Sequence, residues 1–141
     1  NAAPDVVEGM RGIVASPDLD TPGYAAFTAG LQARYQIDPV VFSDGVYDAI
    51  YLIALAIERA GSATPRAAAD NIRAVSAGGT VVGPGEFSRG RELLAGDGGV
   101  DYEGASGSLT FDTNGDITSG TFLIWEIRGA EFFDLETVKF P

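Results

Sequence analysis

The chain has 141 residues, with 20 acidic and 9 basic side chains and neither His nor Cys, and its formal charge is −11. The missing His and Cys exclude disulfides, a Cys nucleophile, an imidazole general base and the nitrogen and sulfur ligands that zinc prefers, and we predict neither a metal site nor a cofactor. Because a strongly acidic surface repels phosphate groups, nucleic acid is excluded as a partner and an anionic membrane surface is disfavoured.

The length fits a single domain, and 45% of the residues are hydrophobic, which is enough to close a core. No stretch reaches the ~18 apolar residues of a membrane-spanning helix, and no secretory signal is visible at the amino end. We interpret residues 1–3 as a linker or a scar of tag cleavage and residues 4–141 as one region. Under this hypothesis the chain is a piece of a longer protein, and the missing signal says nothing about export.

The first predicted elements are a short strand and a helix rich in aromatic residues. Met10–Ser16 is predicted to form a strand that ends at Pro17. Thr21 followed by Pro22 predicts a helix start, because the hydroxyl caps free N–H groups and proline is tolerated in the first turn. This helix ends before Pro39. One of its faces carries residues at helical spacing that we predict to be core: Tyr24, Phe27, Leu31 and Tyr35.

The second helix has the strongest signal in the chain. Ser43 or Asp44 is predicted to cap its start, and Gly61 ends it. Between them, Val46–Ile57 is apolar on all sides rather than along one stripe. We therefore predict that this helix packs on more than one face, against a sheet and against neighbouring elements.

Two shorter helices are predicted next. Thr64 and Pro65 open a third helix by the same cap-and-proline signal, and Gly78 stops it. Residues 78–107 are rich in glycine, and within them Phe87–Ala95 is predicted to form a short helix. Recurring apolar residues distinguish this stretch from simple low complexity.

The carboxyl end is predicted to form an antiparallel meander. Ser108–Phe111, Thr121–Arg128 and Glu131–Val138 have the composition of strands, and the first of them alternates as a half-buried strand does. Asp112–Asp116 predicts a primed hairpin turn in which Asn-Gly supplies the positive φ, and Gly129 turns the chain between the last two strands. Alternating strands and helices followed by a meander predict an α/β chain with helices packed on a sheet.

The turn at Asp112 resembles the start of a calcium loop but does not complete one. Asn114 and Asp116 fall at ligand positions 3 and 5 of an EF-hand. The Gly required at position 6 is Ile117, however, and the Glu required at position 12 is Leu123. We therefore predict a hairpin turn.

Patterns for catalysis and phosphate binding are not found either. The glycine-rich turns do not lead into a helix with a Lys-Ser/Thr ending, and no Ser lies in a Gly-x-Ser-x-Gly elbow. Paired carboxylates could hydrolyse a glycoside, but a chain with 20 acids always offers some pair. We predict that the chain is not an enzyme, and a carboxylate-pair hydrolase remains a distant alternative.

The start of the second helix is the candidate ligand site. It brings together aromatic rings, a hydroxyl and a carboxylate, on Phe42, Ser43, Asp44 and Tyr47. Free backbone N–H groups at a helix start attract anions, whereas Asp44 attracts an ammonium group. This combination suits a zwitterionic amino acid. The alternative is that Ser43 and Asp44 only cap the helix and that Phe42 only packs.

Two long motifs resemble one known family. Phe42–Gly61 resembles the Tyr-Asp-Ala helix of the type I periplasmic binding proteins that serve branched-chain amino acid and amide ABC transporters. Asp101–Asp116 is similar to the Tyr-x-Gly-x-x-Gly…Phe-Asp-x-x-Gly-Asp signature of that family. Trp125 follows at the usual interval, and Glu8–Gly12 resembles the entry to the family's late crossover strand.

The resemblance implies the carboxyl-terminal part of a two-lobed α/β protein that closes on its ligand about a hinge. A full member is more than twice as long, so most residues that grip the ligand would lie upstream. In such a protein Phe42 would pack on the ligand side chain, and Ser43 and Asp44 would offer polar contacts.

The function implied by this family is that of an exported substrate-binding protein at the periplasmic or extracellular face. It would deliver amino acids or related small polar solutes to an ABC permease. The alternative with the same fold is the ligand-sensing domain of a receptor or the effector domain of a regulator.

The family topology also implies that residues 43–76 belong mainly to one lobe and residues 108–128 to the other. A fragment that spans both lobes lacks the partner strands of its most apolar helix. We therefore predict that the isolated chain forms a homo-oligomer, by swapping or by covering that face with a second copy.

Overall fold

The computed structural model describes residues 4–141, and the interpretation of residues 1–3 lies outside them. The helices are α1 (Pro4–Val7), α2 (Pro22–Tyr35), α3 (Ser43–Ala60), α4 (Pro65–Asn71) and α5 (Phe87–Ala95), with a 3₁₀ turn at Arg73–Val75. The strands are β1 (Arg11–Ala15), β2 (Thr80–Val82), β3 (Val100–Tyr102), β4 (Gly120–Arg128) and β5 (Glu131–Phe140). The predicted α/β class is confirmed. Within residues 4–141 we find no helix with the length and apolar character needed to cross a bilayer.

Local sequence signals set the ends of three helices. The hydroxyl of Thr21 accepts a hydrogen bond from the N–H of Tyr24 at 3.2 Å, and that of Thr64 accepts one from Ala67 at 3.4 Å. Both predicted caps are thereby confirmed. Gly61 follows the last residue of α3 with φ of 60°, a left-handed conformation that glycine adopts without strain.

The predicted cap of α3 is wrong. Phe42 holds the N-cap position in a left-handed conformation, with φ of 66° and no capping hydrogen bond from its side chain. The hydroxyl of Ser43 donates to the carbonyl of Val40 at 2.7 Å, so it is turned away from the free N–H groups of the helix. Ser43 and Asp44 therefore lie inside the first turn rather than before it.

The helical part of the molecule packs around a short parallel sheet. β2 and β3 pair with Thr80 opposite Val100 and Val82 opposite Tyr102. The sequence analysis missed both strands, because each has only three residues and lies in the glycine-rich stretch. The buried core between this sheet, α3 and the 3₁₀ turn consists of Leu52, Leu55, Ala56, Val75, Val82, Val100, Tyr102 and Leu109.

Helix α3 buries only one of its faces. Leu52 and Leu55 are buried in the core, whereas Val46, Ile50 and Ile53 are 60%, 64% and 46% exposed. We call these three residues the bare face of α3. The predicted neighbours are confirmed, because α3 packs against α4 and α5 and shares its core with the short parallel sheet. The prediction that it packs on more than one face is wrong for the described residues, because none of them covers the bare face.

The second sheet is antiparallel and has the order β1-β4-β5. Arg11 lies opposite Glu126, and Ala15 lies opposite Phe122. β4 and β5 form a hairpin that turns at Gly129 and Ala130, both with positive φ (59° and 67°), as a primed two-residue turn requires. The predicted hairpin at the carboxyl end is confirmed, and its third strand comes from β1.

The predicted strand Ser108–Phe111 does not form. Leu109 is instead buried in the helical core, and the hydroxyl of Thr110 donates to the carbonyl of Ser76 at 3.4 Å. Only isolated bridges connect this segment to other strand-like residues. Packing against the core has taken the place of sheet pairing, and residues 103–119 form a connection between the two sheets.

The turn after this segment depends on one carboxylate. Asp112 Oδ1 accepts hydrogen bonds from the N–H groups of Asn114, Gly115 and Asp116 at 2.8, 2.9 and 3.0 Å, and these bonds lower the pKa of Asp112. Only Gly115 has a positive φ, so the predicted primed turn at Asn114 and Gly115 is wrong. Among the side chains that the structure describes, no group of three or more His, Cys, Asp or Glu residues could hold a metal ion.

Candidate functional site

A cleft of about 430 Å³ lies between the start of α3 and the antiparallel sheet. The end of β1, the start of α3, the 103–119 connection and the adjoining ends of β4 and β5 meet there. Its apolar side chains are Ala15, Phe42, Leu109, Ile117, Phe122 and Phe140. Its polar side chains are Ser16, Asp44, Ser106, Ser108, Ser119 and Thr121.

Asp44 is the only acidic residue that lines this cleft in the described part of the chain. It is 7% exposed, and its carboxylate has no hydrogen bond or ion pair with any residue of 4–141. Its position in the first turn of α3 places it near the free N–H groups of the helix, which stabilise a negative charge. Across the described residues no Lys or Arg lines the cleft, and the Asp44 oxygens are not among the buried atoms that lack a partner, so the carboxylate opens onto the cleft.

Three phenyl rings give the cleft its apolar surface. Phe122 on β4 and Phe140 at the end of β5 are stacked, with ring centroids 5.6 Å apart. Phe42 comes from the other side, at the start of α3, and is 57% exposed. The cleft therefore offers a carboxylate and aromatic rings within one concave surface.

The structure separates the four residues that the sequence grouped as a site. Phe42 and Asp44 line the cleft, whereas Ser43 and Tyr47 do not. The hydroxyl of Tyr47 accepts a hydrogen bond from the N–H of Gly85 at 3.0 Å, and its ring packs against other aromatic rings of the helical part. The roles of Ser43 and Tyr47 seen here are structural contacts within the chain.

Asp48, one turn after Asp44, holds part of the cleft in place. It is 1% exposed and accepts hydrogen bonds from the hydroxyl of Tyr102 and the N–H of Ala105, both at 2.8 Å. The N–H and the hydroxyl of Ser106 donate to its other oxygen at 2.8 and 2.6 Å. Because Ser106 also lines the cleft, Asp48 positions one of the cleft residues.

Sequence reasoning did not single out Asp48, Tyr102 or Ser106 as partners. Asp48 belongs to the Tyr-Asp-Ala motif and the other two to the second motif, so the signal was present as two separate resemblances. Gly104 lies directly over the carboxylate, and a Cβ there would be 2.3 Å from Asp48 Oδ2. Position 104 therefore requires glycine because the backbone lies so close to the buried carboxylate, and not because the chain turns there.

A second cavity of about 530 Å³ lies between the start of α2 and the carboxyl ends of β2 and β3. Its two acids already have partners within the chain. Glu86 accepts hydrogen bonds from the N–H of Gly83 at 2.8 Å and from Arg89 at 2.9 Å. Glu103 accepts one from Ser108 at 3.2 Å, and burial raises its pKa. Since both carboxylates are satisfied, this cavity is the weaker candidate for a ligand.

Comparisons with known proteins agree on the fold. The family model described as the receptor family ligand binding region matches residues 4–130. A solved structure of a leucine-binding protein from Thermotoga maritima is similar at a TM-score of 0.58 and 21% identity, over 96% of this chain and 34% of that one. This chain therefore spans about a third of the length of that protein. A search of curated proteins gave no match.

Proposed function

The chain belongs to the receptor family ligand binding region, which has the type I periplasmic binding fold, and on that premise we propose that its cleft is part of a small-molecule binding site. The resemblance inferred from the two sequence motifs is confirmed by this family match. The family and the fold are those of ligand-binding proteins rather than of enzymes.

Asp44 is the observation that supports the site. A ligand in the cleft would cover the carboxylate of Asp44, and an ammonium group on that ligand would compensate the lost hydration of the charge. Phe42, at the edge of the same cleft, would pack on the apolar part of the ligand. These two contacts favour an amino acid or a related small solute that carries an amino group.

We propose that the parent protein is an extracytoplasmic substrate-binding protein that delivers such a solute to an ABC permease. Under this proposal the parent is exported, and residues 4–141 form one carboxyl-terminal region of it. The fold shared with a leucine-binding protein supports this proposal. The remaining ligand contacts would come from the other two thirds of such a protein.

A ligand-sensing domain of a receptor is the second candidate. The description of the matching family, which names receptors, favours it. The sequence around this chain in the parent separates the candidates: a membrane-spanning segment indicates a receptor, a DNA-binding helix pair a regulator, and a lipoprotein or secretory signal with neither of them a transport protein.

The bare face of α3 supports a further part of the proposal, that the isolated chain self-associates. Val46, Ile50 and Ile53 form an apolar surface that monomeric proteins rarely leave uncovered. Val40 and Val41, shortly before α3 in the chain, are also exposed, by 73% and 75%. A second copy of the chain would cover this surface in place of the missing strands.

Calorimetric titration of the full-length parent and of this chain with L-leucine and other amino acids tests the ligand-binding proposal. We expect saturable binding by the parent and weaker binding by the chain. Asp44→Asn should lower the affinity by about tenfold or more, since a charge-assisted hydrogen bond contributes about 1.5–3 kcal/mol. Unchanged affinity in Asp44→Asn would show that the ligand does not use this cleft.

A further inference from the structure

We infer that this cleft prefers a ligand with an ammonium group attached to an aromatic ring, and that it does not bind the carboxylate of an amino acid. The inference rests on the proposed function and deepens it by naming the ligand class of the same site. It depends on one buried acid, on the charges that surround it and on the rings opposite it.

The negative charge of Asp44 favours a cationic group on the ligand. Asp44 is 7% exposed as a residue, and its carboxylate has no hydrogen bond or ion pair among the described side chains, although it lines a cleft of about 430 Å³. The start of α3 offsets part of the cost of burying this charge. A primary ammonium group can donate up to three hydrogen bonds and also neutralise the carboxylate, whereas a hydroxyl can do only the first.

No Lys or Arg lines the described part of the cleft, so a ligand carboxylate finds only uncharged donors there, such as the hydroxyls of Ser119 and Thr121. Lys139 lines an adjoining pocket that shares Thr121 and Phe140 with the cleft, and its ammonium group is paired with Asp18. The hydroxyl of Ser106 donates to Asp48 and that of Ser108 donates to Glu103, so neither is free to donate to an anion. A ligand carboxylate would also be repelled by Asp44.

The rings favour an aromatic body. Phe122 and Phe140 present a stacked pair, and Phe42 lies at the start of α3, two residues before Asp44. Aromatic rings pack on one another with a preference beyond area burial, and their faces attract a nearby cation. The volume is that of a small-ligand pocket, so one ring and a short amine chain fit.

Three matched compounds test the inference: 2-phenylethylamine, L-phenylalanine and 3-phenylpropanoate. They share a phenyl ring on a two-carbon chain and differ only in charged groups. Each is titrated into the ¹⁵N-labelled 141-residue chain, with the amides of Gly45, Ser106 and Gly120 as reporters of the cleft. We expect the amine to bind at least about 10-fold more tightly than the propanoate, and L-phenylalanine to bind no more tightly than the amine.

Two variants with the same change of charge locate the effect. Asp44→Asn should abolish the preference for the amine over the propanoate. Glu92→Gln, on the exposed side of α5 and outside the cleft, should retain it. Phe140→Leu leaves Asp44 in place and removes one ring. It should lower the affinity for 2-phenylethylamine several-fold and change the affinity for isobutylamine by no more than about twofold.

The inference is overturned if the propanoate binds as tightly as the amine, or if Asp44→Asn keeps the preference. It is also overturned if L-leucine shifts the reporter amides and none of the three phenyl compounds does, in which case the proposed function stands. If no amino acid or amine binds either the chain or its parent, the proposed function fails together with the inference.

Discussion

The carboxylate of Asp48 on α3 accepts a 2.8 Å hydrogen bond from the hydroxyl of Tyr102 on β3, and both side chains are at most 1% exposed. No Lys or Arg of residues 4–141 pairs with Asp48. Hydroxyl and backbone N–H donors satisfy it instead, which is a way to keep a buried carboxylate. Burial is the main cause that raises the pKa of Tyr102, and the charge of Asp48 is the second. The hydroxyl of Tyr102 therefore stays protonated and remains a hydrogen-bond donor.

Tyr102→Phe is expected to destabilise the chain by about 1.5–3 kcal/mol, because it removes a hydrogen bond to a buried charged acceptor. Tyr51→Phe is a matched control, since the Tyr51 ring stacks on that of Tyr102 with centroids 4.8 Å apart. The Tyr51 hydroxyl is buried without a hydrogen-bond partner among the described residues, and burial raises its pKa to about 12. Tyr51→Phe should therefore leave the free energy of unfolding unchanged or raise it, because it removes a buried hydroxyl that has no hydrogen bond to lose. Urea unfolding measures both, and equal losses would contradict the role given to the Asp48–Tyr102 bond.

Gly104→Ala is expected to cost more than about 2 kcal/mol, because the added Cβ would lie 2.3 Å from Asp48 Oδ2 and would push the buried carboxylate off its donors. Gly30→Ala in α2 provides the opposite case. No atom lies within 4 Å of a Cβ at Gly30, so the substitution should stabilise the helix by about 0.5–1 kcal/mol. Thermal unfolding of the two variants should move in opposite directions. A Gly104→Ala variant as stable as the parent chain would mean that the loop over Asp48 can shift freely.

Glu126 is expected to make folding depend on pH in the acid range. Its carboxylate accepts 2.6 Å hydrogen bonds from Arg128 and Arg11, in that order of importance, and these lower its pKa from the ordinary 4.5. A carboxyl whose pKa is lower in the folded than in the unfolded chain stabilises the fold at pH values above its unfolded pKa. This stabilisation is lost as the pH falls through its folded pKa. Glu126→Gln should therefore be less stable than the parent chain at neutral pH, and the difference should shrink below pH 4.5.

Urea unfolding of Glu126→Gln at several pH values measures this difference. Glu131→Gln, in the same hairpin and without an ion pair among the described residues, serves as the control and should follow the parent chain. A gap between Glu126→Gln and the parent chain that stays constant through the acid range would contradict the linkage.

Sedimentation velocity at high micromolar concentration tests self-association of the chain. We expect species larger than a monomer, and Ile50→Glu should shift them to monomer because it places a charge on the bare face of α3. Leu19→Glu is the matched control, since Leu19 is as exposed (62%) and lies outside that face. A compact monomer for the parent chain would overturn the proposal.

Much of the helical structure could be predicted because its determinants are local. Thr21 and Thr64 cap the helices that they precede, Gly61 ends α3, and the bounds of α5 were predicted as found. Strands were harder. β2 and β3 are too short to show a period, and β1 could be predicted as a strand but not as the partner of β4, more than 100 residues away.

The candidate site was half predictable. The sequence drew attention to Phe42 and Asp44 because they stand next to a strong helix, yet it also grouped Ser43 and Tyr47 with them. Helical geometry alone does not say which residues of one turn face a cleft and which face a core. Phe122 and Phe140 were missed as site residues, since nothing near either of them indicates that they meet α3.

By itself, the amino-acid sequence determined the family, the α/β class, the helix ends and the lack of imidazole and thiol chemistry. These follow from residue composition, from caps and from side-chain periods, which act over a few residues. Tertiary structure alone decided which side of α3 is buried, that Asp48 meets Tyr102, and that Asp44 opens onto phenyl rings from distant strands. Those relations depend on packing between segments far apart in the chain, and such packing leaves no local period or motif by which it could be recognised.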